Sequence, residues 1–162
     1  MITSTPNPSS GEAPTPRLPC ILCVDDDELV LLSLRRLFRQ TATVVTATAG
    51  AEALTVLSER DDICLVVSDQ RMPGMSGTEF LAAAARIAPD VPRILLTGYV
   101  DGQSAMEAIT RGKLYRLFTK PWNSSELLKA IRDGIKWHQH SKHAGTSQEY
   151  VLSAVPEEEC LR

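Results

Sequence analysis

The sequence predicts an α/β domain built on a five-stranded parallel sheet with helices on both faces. Three observations carry this expectation. Short apolar runs recur along the chain between residues 20 and 120. They are continuous rather than alternating, as expected for strands buried on both faces. Each is followed by a stretch whose apolar residues return at helical spacing.

The first run is Ile21–Val24, and Leu29, Leu32 and Leu37 mark an apolar stripe on the helix behind it. Val44–Ala47 is the second strand, followed by Ala53, Leu54 and Leu57. Ile63–Val67 is the third, followed by Phe80, Leu81 and Ala84. Ile94–Leu96 is the fourth, with Ala105, Met106 and Ile109 behind it. Leu117–Phe118 is the fifth, before Leu127, Leu128, Ile131 and Ile135. Helix starts are signalled independently. Ser76-Gly77-Thr78-Glu79 reads as a capping box, in which hydroxyl and carboxylate each take an orphan amide. Asn123 stands as an N-cap three residues before Glu126. Pro73-Gly74 and Pro121 punctuate the preceding loops. Strands alternating with helices through short connections give a parallel sheet.

A chain of 162 residues accommodates one domain with tails. Its 43% hydrophobic content is enough for a packed core. Residues 1–18 hold Pro6, Pro8, Pro14 and Pro16 among small polar residues, and are expected to form a disordered leader. The domain is expected over 19–141. Residues 142–162, with Glu157, Glu158 and Glu159, are expected to be a flexible tail. A net charge of −3 gives no basis for a nucleic-acid or membrane surface. No apolar run approaches the ~20 residues that span a bilayer. The N-terminus lacks the basic start and apolar stretch of a signal peptide. A cytoplasmic protein is the resulting expectation.

Cys20 and Cys23 form a C-x-x-C, the spacing of redox and zinc sites. On a strand, residues three apart point to opposite faces, so the two sulfurs should diverge. A second cysteine pair to complete a zinc site is absent. Cys23 and Cys64 therefore read as small core residues. His138, His140 and His143 cluster near the end of the last helix without the i, i+4 pairing and carboxylate of a metal site. They read as a solvated helix end whose basic groups suit the dipole.

In an open parallel sheet, ligands sit at the carboxyl ends of the strands, near the point where strand order reverses. The polar residues there are Asp25, Asp26 and Asp27 after the first strand, Ser68-Asp69 after the third, Thr97-Gly98 after the fourth, and Thr119-Lys120-Pro121 after the fifth. Three carboxylates in one crevice repel one another, which a divalent cation would relieve. An all-oxygen site with few carboxylates suits Mg²⁺. Lys120 adds a fixed positive charge. A carboxylate can attack phosphorus and form an aspartyl phosphate, provided the equatorial oxygens are neutralised. Asp25 and Asp26 taken alone could be ordinary helix-start acids, and Thr97 an ordinary strand-end hydroxyl. Their joint occurrence with Asp69 and Lys120 favours a site.

The segments Ile21-Leu22-Cys23-Val24-Asp25-Asp26-Asp27, Ser68-Asp69-Gln70-Arg71-Met72-Pro73-Gly74-Met75-Ser76-Gly77, Leu95-Leu96-Thr97-Gly98 and Phe118-Thr119-Lys120-Pro121-Trp122 resemble the signature of bacterial two-component response-regulator receivers. The resemblance spans about residues 19 to 139 and keeps order and spacing. It implies a flavodoxin-like, doubly wound sheet of strand order 2-1-3-4-5 with five helices. It implies Asp69 as phosphoacceptor, with Lys120 pairing a phosphoryl oxygen and Thr97 turning its hydroxyl toward the group. Mg²⁺ would be held by Asp26, Asp69 and the backbone carbonyl of Arg71, with Asp25 acting through a bound water. Gly98 would keep the approach to the phosphoryl group open, and Met72-Pro73 and Gly77 would shape the loop after the acceptor. Asp27 is expected to be a helix cap.

Implied partners are a sensor histidine kinase or histidine phosphotransfer protein and a downstream effector docking on the fourth helix, fifth strand and fifth helix. A phosphorylation-dependent homodimer is left open. The chain is expected to signal rather than turn over substrate, either alone or as the receiver of a longer regulator. One departure concerns the switch. Many receivers carry an aromatic residue three positions before the lysine, and here that position is Leu117, flanked by Phe118 and with Tyr115 nearby. Two alternatives remain. A phosphorylation-independent interaction module would keep the fold alone. A phosphohydrolase of the haloacid dehalogenase type would need a second acid two residues after the nucleophile, where this chain has Arg71.

Overall fold

The computed structural model describes residues 17–98, 109–111 and 113–144. Five strands form one sheet: β1 (Cys20–Val24), β2 (Thr43–Ala47), β3 (Ile63–Asp69), β4 (Arg93–Thr97) and β5 (Arg116–Thr119). All neighbours are parallel, in the order β2-β1-β3-β4-β5. The helices are α1 (Glu28–Phe38), α2 (Gly50–Glu59), α3 (Gly77–Ile87), the helical residues 109–111 as α4, and α5 (Ser124–Ala144). This is the doubly wound, flavodoxin-like architecture expected from the sequence. The stripe expected at Ala105 and Met106 lies outside the described residues. So do the proposed leader and tail, apart from residues 17, 18 and 142–144.

Two cores cover the two faces of the sheet. On one, Leu22, Val24, Val66 and Leu95 meet Ala53, Leu57, Phe80, Leu81 and Ala84 of α2 and α3, with Ile109 packed alongside. On the other, Ile21, Cys23, Val67, Ile94 and Leu96 meet Leu31, Leu34 and Phe38 of α1 and Leu127, Ala130, Ile131 and Ile135 of α5. β1, β3 and β4 are buried along their whole length, as continuous apolar strands should be. The expectation of two-sided burial fails for β2 and β5, which stand at the sheet edges and are largely half-buried. Cys20 and Cys23 point into opposite cores, so the C-x-x-C binds nothing jointly. Burial pushes the Cys64 thiol up to about 11 and holds Cys23 higher still, which suits inert core thiols. Cys64 is the extra residue of a bulge: Cys20 pairs with Ile63, and Ile21 with Leu65.

Two readings need correction. In α1 the buried stripe is Leu31, Leu34 and Phe38, while Leu29 is 73% and Leu32 42% exposed. The helix is leucine-rich around its circumference, so spacing alone admits two stripes. His138 is not a solvated group: it is 3% exposed, and its Nδ1 lies 2.8 Å from the carbonyl oxygen of Asp90 in the α3–β4 loop. A carbonyl only accepts, so Nδ1 carries the hydrogen. The same loop gives its Ala88 and Val91 carbonyls to buried Arg93 at 3.1 and 2.7 Å, so two side chains tie this turn to β4 and α5.

Burial holds the His138 imidazole below its ordinary range, with Lys142 adding to this and Asp90 opposing it. The unfolded chain therefore binds more protons than the native one as pH falls past the ordinary histidine value of about 6.5. Stability from this group is complete above that pH and is lost as pH drops toward the native pKa. His138→Asn keeps a donor for Asp90 but cannot titrate. Urea unfolding between pH 7 and 5 is expected to show a fall in stability for the wild type that is shallower in the variant. Equal slopes would reject it.

Candidate functional site

The sheet order reverses between β1 and β3, and the carboxyl ends of these strands bring Asp25 and Asp69 together. Asp69 is the last residue of β3, and Asp25 follows β1 with its amide bonded to Ala47 at the end of β2. Asp25 Oδ1 accepts from the Asp27 amide at 2.9 Å. Asp27 caps α1 as expected, its carboxylate accepting from the Leu29 amide at 2.8 Å. That leaves Asp26 exposed at the rim. Ligand oxygens of Asp25, Asp26 and Asp69 all lie within 4.8 Å of one another, so this acidic cluster could hold a metal ion.

Lys120 reaches the cluster from the end of β5. Its amide donates to the Thr97 carbonyl at 2.7 Å, which ties it to the last residue of β4. Its Nζ lies 2.6 Å from Asp69 Oδ1 and 3.6 Å from Asp25 Oδ2. Asp25 Oδ2 is itself buried without a hydrogen bond among the described residues. A buried carboxylate oxygen with no hydrogen bond and only a long ion pair to Lys120, beside two further acids, is the donor set a hard cation would complete. Burial holds the Asp25 carboxyl above the ordinary range, with Asp69 and Asp26 adding to it and the Asp27 amide and Lys120 opposing. Burial also pulls against the Lys120 ammonium, but the hydrogen bond and charge of Asp69, together with Asp25, outweigh it and hold the lysine above its ordinary range.

The far oxygen of Asp69 has its own partner. Oδ2 accepts the Arg71 amide at 2.8 Å, an Asx-type turn. The Ser68 hydroxyl donates to the Asp69 carbonyl at 2.8 Å. Thr97 is buried one residue beyond Leu96, which pairs with Asp69. A Cβ at Gly98 would meet nothing within 4 Å among the described residues. Gly77 contrasts with it: a Cβ there would overlap the Asp69 carbonyl oxygen. The capping box expected at Ser76 and Glu79 is formed, and so is the Asn123 cap of α5, with Oδ1 accepting the Ser125 and Glu126 amides at 2.9 and 3.2 Å.

The structure thus brings together Asp25, Asp26, Asp69 and Lys120, with Thr97 at the neighbouring strand end. The Arg71 amide and the Ser68 hydroxyl escaped the sequence reading. An aspartate at a strand end, whose carboxylate can accept the amide two residues on, is the signal for the first. At the position three before Lys120, the register is regular: Leu95 pairs with Leu117, Leu96 with Phe118 and Thr97 with Thr119. Leu117 packs against the α2/α3 core, while Phe118 and Tyr115 pack against the α1/α5 core. An aromatic displaced by one residue has therefore changed faces.

The family described as the response regulator receiver domain matches residues 21–132. The transcriptional regulatory protein GlrR of Escherichia coli K12 is 39% identical over 118 residues, covering 72% of this chain and 26% of that protein. The hydrogenase transcriptional regulatory protein HoxA of Cupriavidus necator is 30% identical over 116 residues, covering 72% of this chain and 24% of that protein. The chain spans about a quarter of the length of these two regulators. Among solved structures, the signal receiver domain of an HD domain-containing protein from Pseudomonas fluorescens Pf-5 is 39% identical with a TM-score of 0.71, over 77% of this chain and 99% of that one.

Proposed function

The chain belongs to the response-regulator receiver domain family, and from this we propose that it accepts a phosphoryl group on Asp69, in a Mg²⁺-dependent reaction, from a histidine kinase or phosphotransfer protein. The observation that carries the reading is the meeting of Asp25, Asp26, Asp69 and Lys120 in one crevice at the sheet's reversal point. An oxygen of Asp69 bonds to phosphorus as the bond from phosphorus to the donor's nitrogen breaks, the leaving imidazole keeping the electron pair. Lys120 then balances charge on the transferred group, and Thr97, the last residue of β4, is the proposed hydroxyl donor to it. Asp26, Asp69 and the Arg71 carbonyl would hold Mg²⁺, with Asp25 acting through a water. When bound, the ion supplies charge neutralisation for the carboxylates and the phosphoryl oxygens.

The consequence proposed for the phosphorylated chain is altered binding to an effector protein. Among the described residues no helix is long and apolar enough to cross a membrane, which accords with a proposed cytoplasmic site of action. The residues proposed for the phosphorylating domain are 19–141. Intact mass after incubation with acetyl phosphate and Mg²⁺ tests the chemistry. One labile phosphoryl adduct is expected, and none when a chelator is added. A folded protein that stays unlabelled would instead be an interaction module that does not phosphorylate.

The exposed Leu29 and Leu32 lie on α1, the helix that begins at the acidic cluster. Two apolar side chains beside the crevice suit the docking of a protein donor. Leu29→Ser with Leu32→Ser is expected to slow transfer from the protein donor that labels the wild type by about tenfold, the equivalent of ~1.4 kcal/mol of docking energy. Labelling by acetyl phosphate should not change. Equal slowing with both donors would reject the docking role.

A further inference from the structure

We infer that Gln70 is a positioning residue for the acceptor carboxylate, an inference that rests on the phosphoacceptor reading of Asp69. Gln70 stands between Asp69 and Arg71, and four hydrogen bonds fix it. Its amide donates to the Leu96 carbonyl at 3.0 Å, and its carbonyl accepts the Gly77 amide at 2.9 Å. Its side-chain Oε1 accepts both from the Thr78 amide at 3.0 Å and from the Thr78 hydroxyl at 2.8 Å.

These bonds come from two different elements. Leu96 belongs to β4, while Gly77 and Thr78 open α3. Gln70 therefore clamps the first residue after β3 between the neighbouring strand and the helix that follows. The next amide along is that of Arg71, which holds Asp69 Oδ2 at 2.8 Å while Oδ1 faces Lys120 at 2.6 Å. An Asx-type turn has few internal constraints, because one hydrogen bond closes it. Clamping Gln70 removes the freedom that would let the Arg71 amide swing away and the carboxylate rotate. Orientation of a reacting group is a large part of phosphoryl-transfer catalysis, so a clamp one residue from the nucleophile acts on rate. Gln70 itself touches no reacting atom.

The side chain is the testable part of the clamp. Gln70→Met keeps length and volume but replaces the amide oxygen that Thr78 donates to with a weakly accepting sulfur. Thr78→Val removes one of the two donors and keeps the shape, and Thr78→Ser restores the hydroxyl. Each variant of the 162-residue chain would be labelled with acetyl phosphate at saturating Mg²⁺, and the initial rate expressed per folded molecule. Gln70→Met is expected to be slower by roughly tenfold, modest beside the loss that a 1 Å misplacement can cause. Thr78→Val should be slower by a smaller factor, and Thr78→Ser should return to within twofold of the wild type. Gln70→Met at the wild-type rate would overturn the inference. So would Thr78→Ser as slow as Thr78→Val, because a role in folding alone does not depend on the hydroxyl at fixed folded fraction. Should Gln70→Met not fold, the Thr78 pair decides. A wild type that takes no label overturns the phosphoacceptor reading itself, a result separate from any ranking of the variants.

Discussion

Asp69→Asn is expected to abolish labelling by acetyl phosphate while leaving a folded protein. The amide keeps the shape of the carboxylate but lacks its charge and its nucleophilic oxygen, so the loss should reach the detection limit of intact-mass measurement. The cost to stability follows from how Asp69 uses its two oxygens. Oδ1 faces the Lys120 ammonium at 2.6 Å, and Oδ2 accepts the Arg71 amide at 2.8 Å. An amide has a single oxygen, so in either orientation an NH₂ group meets a donor. A mispaired buried donor costs about 1–3 kcal/mol. Removing one of three neighbouring acids relieves repulsion with Asp25 and Asp26 and offsets part of it. The melting temperature should therefore fall by about 10 °C or less, using the usual few degrees per kcal/mol for a domain of this size. An adduct that persists on folded Asp69→Asn would move the acceptor to another residue.

The same geometry explains what could be read from the residues beforehand. The acidic cluster was legible because it needs only two inferences: which apolar runs are strands, and which residues follow their ends. Asp69 and Thr97 prove to be the last residues of β3 and β4. Local signals also carried over, since the Ser76 capping box and the Asp27 and Asn123 caps depend on residues within three positions. Periodicity failed where it is degenerate. With leucines around all of α1, Leu29 and Leu32 satisfy helical spacing as well as Leu31 and Leu34 do, and only contact with β1 and α5 decides between them.

Long-range polar contacts left no periodic trace. His138 stands three residues after Ile135 and seven after Ile131, so helical spacing puts it on the buried face of α5, but the carbonyl it meets lies 48 positions away in sequence and no spacing reveals that partner. Gln70 reads as a polar loop residue because its partners include a strand end and a helix start that neighbour it only after folding. The Arg71 amide belongs to the backbone, on which residue identity bears weakly. What remained illegible is thus the second layer that orients the acids, while the acids themselves announce their position through the strands that carry them.

Gly77→Ala should be among the most destabilising single substitutions in the domain, whereas Gly98→Ala should leave the fold intact. A Cβ at position 77 would overlap the Asp69 carbonyl oxygen and stand 2.9 Å from both the Asp69 carbonyl carbon and Gln70 Cα. These are backbone atoms, so no rotamer change relieves the contact. They are also held in place. The Ser68 hydroxyl donates to the Asp69 carbonyl at 2.8 Å, and the Gly77 amide bonds to the Gln70 carbonyl at 2.9 Å. Accommodation must move the start of α3 away from the end of β3, breaking the Gln70–Thr78 clamp and opening the core around Phe80 and Leu81. Overpacking against a fixed backbone costs about 3 kcal/mol or more, toward the upper end for single substitutions. A drop in melting temperature of about 10 °C or more follows. At Gly98 a methyl group meets nothing within 4 Å among the described residues, so Ala there tests access to the crevice: thermal unfolding should match the wild type, and any change should appear in the rate of labelling. Because the segment that Gly77 crowds carries Asp69, the remaining folded fraction of Gly77→Ala should also label slowly per molecule. A Gly77→Ala protein as stable as the wild type would mean that α3 and β3 are joined less tightly than the Gly77–Gln70 and Gln70–Thr78 hydrogen bonds require.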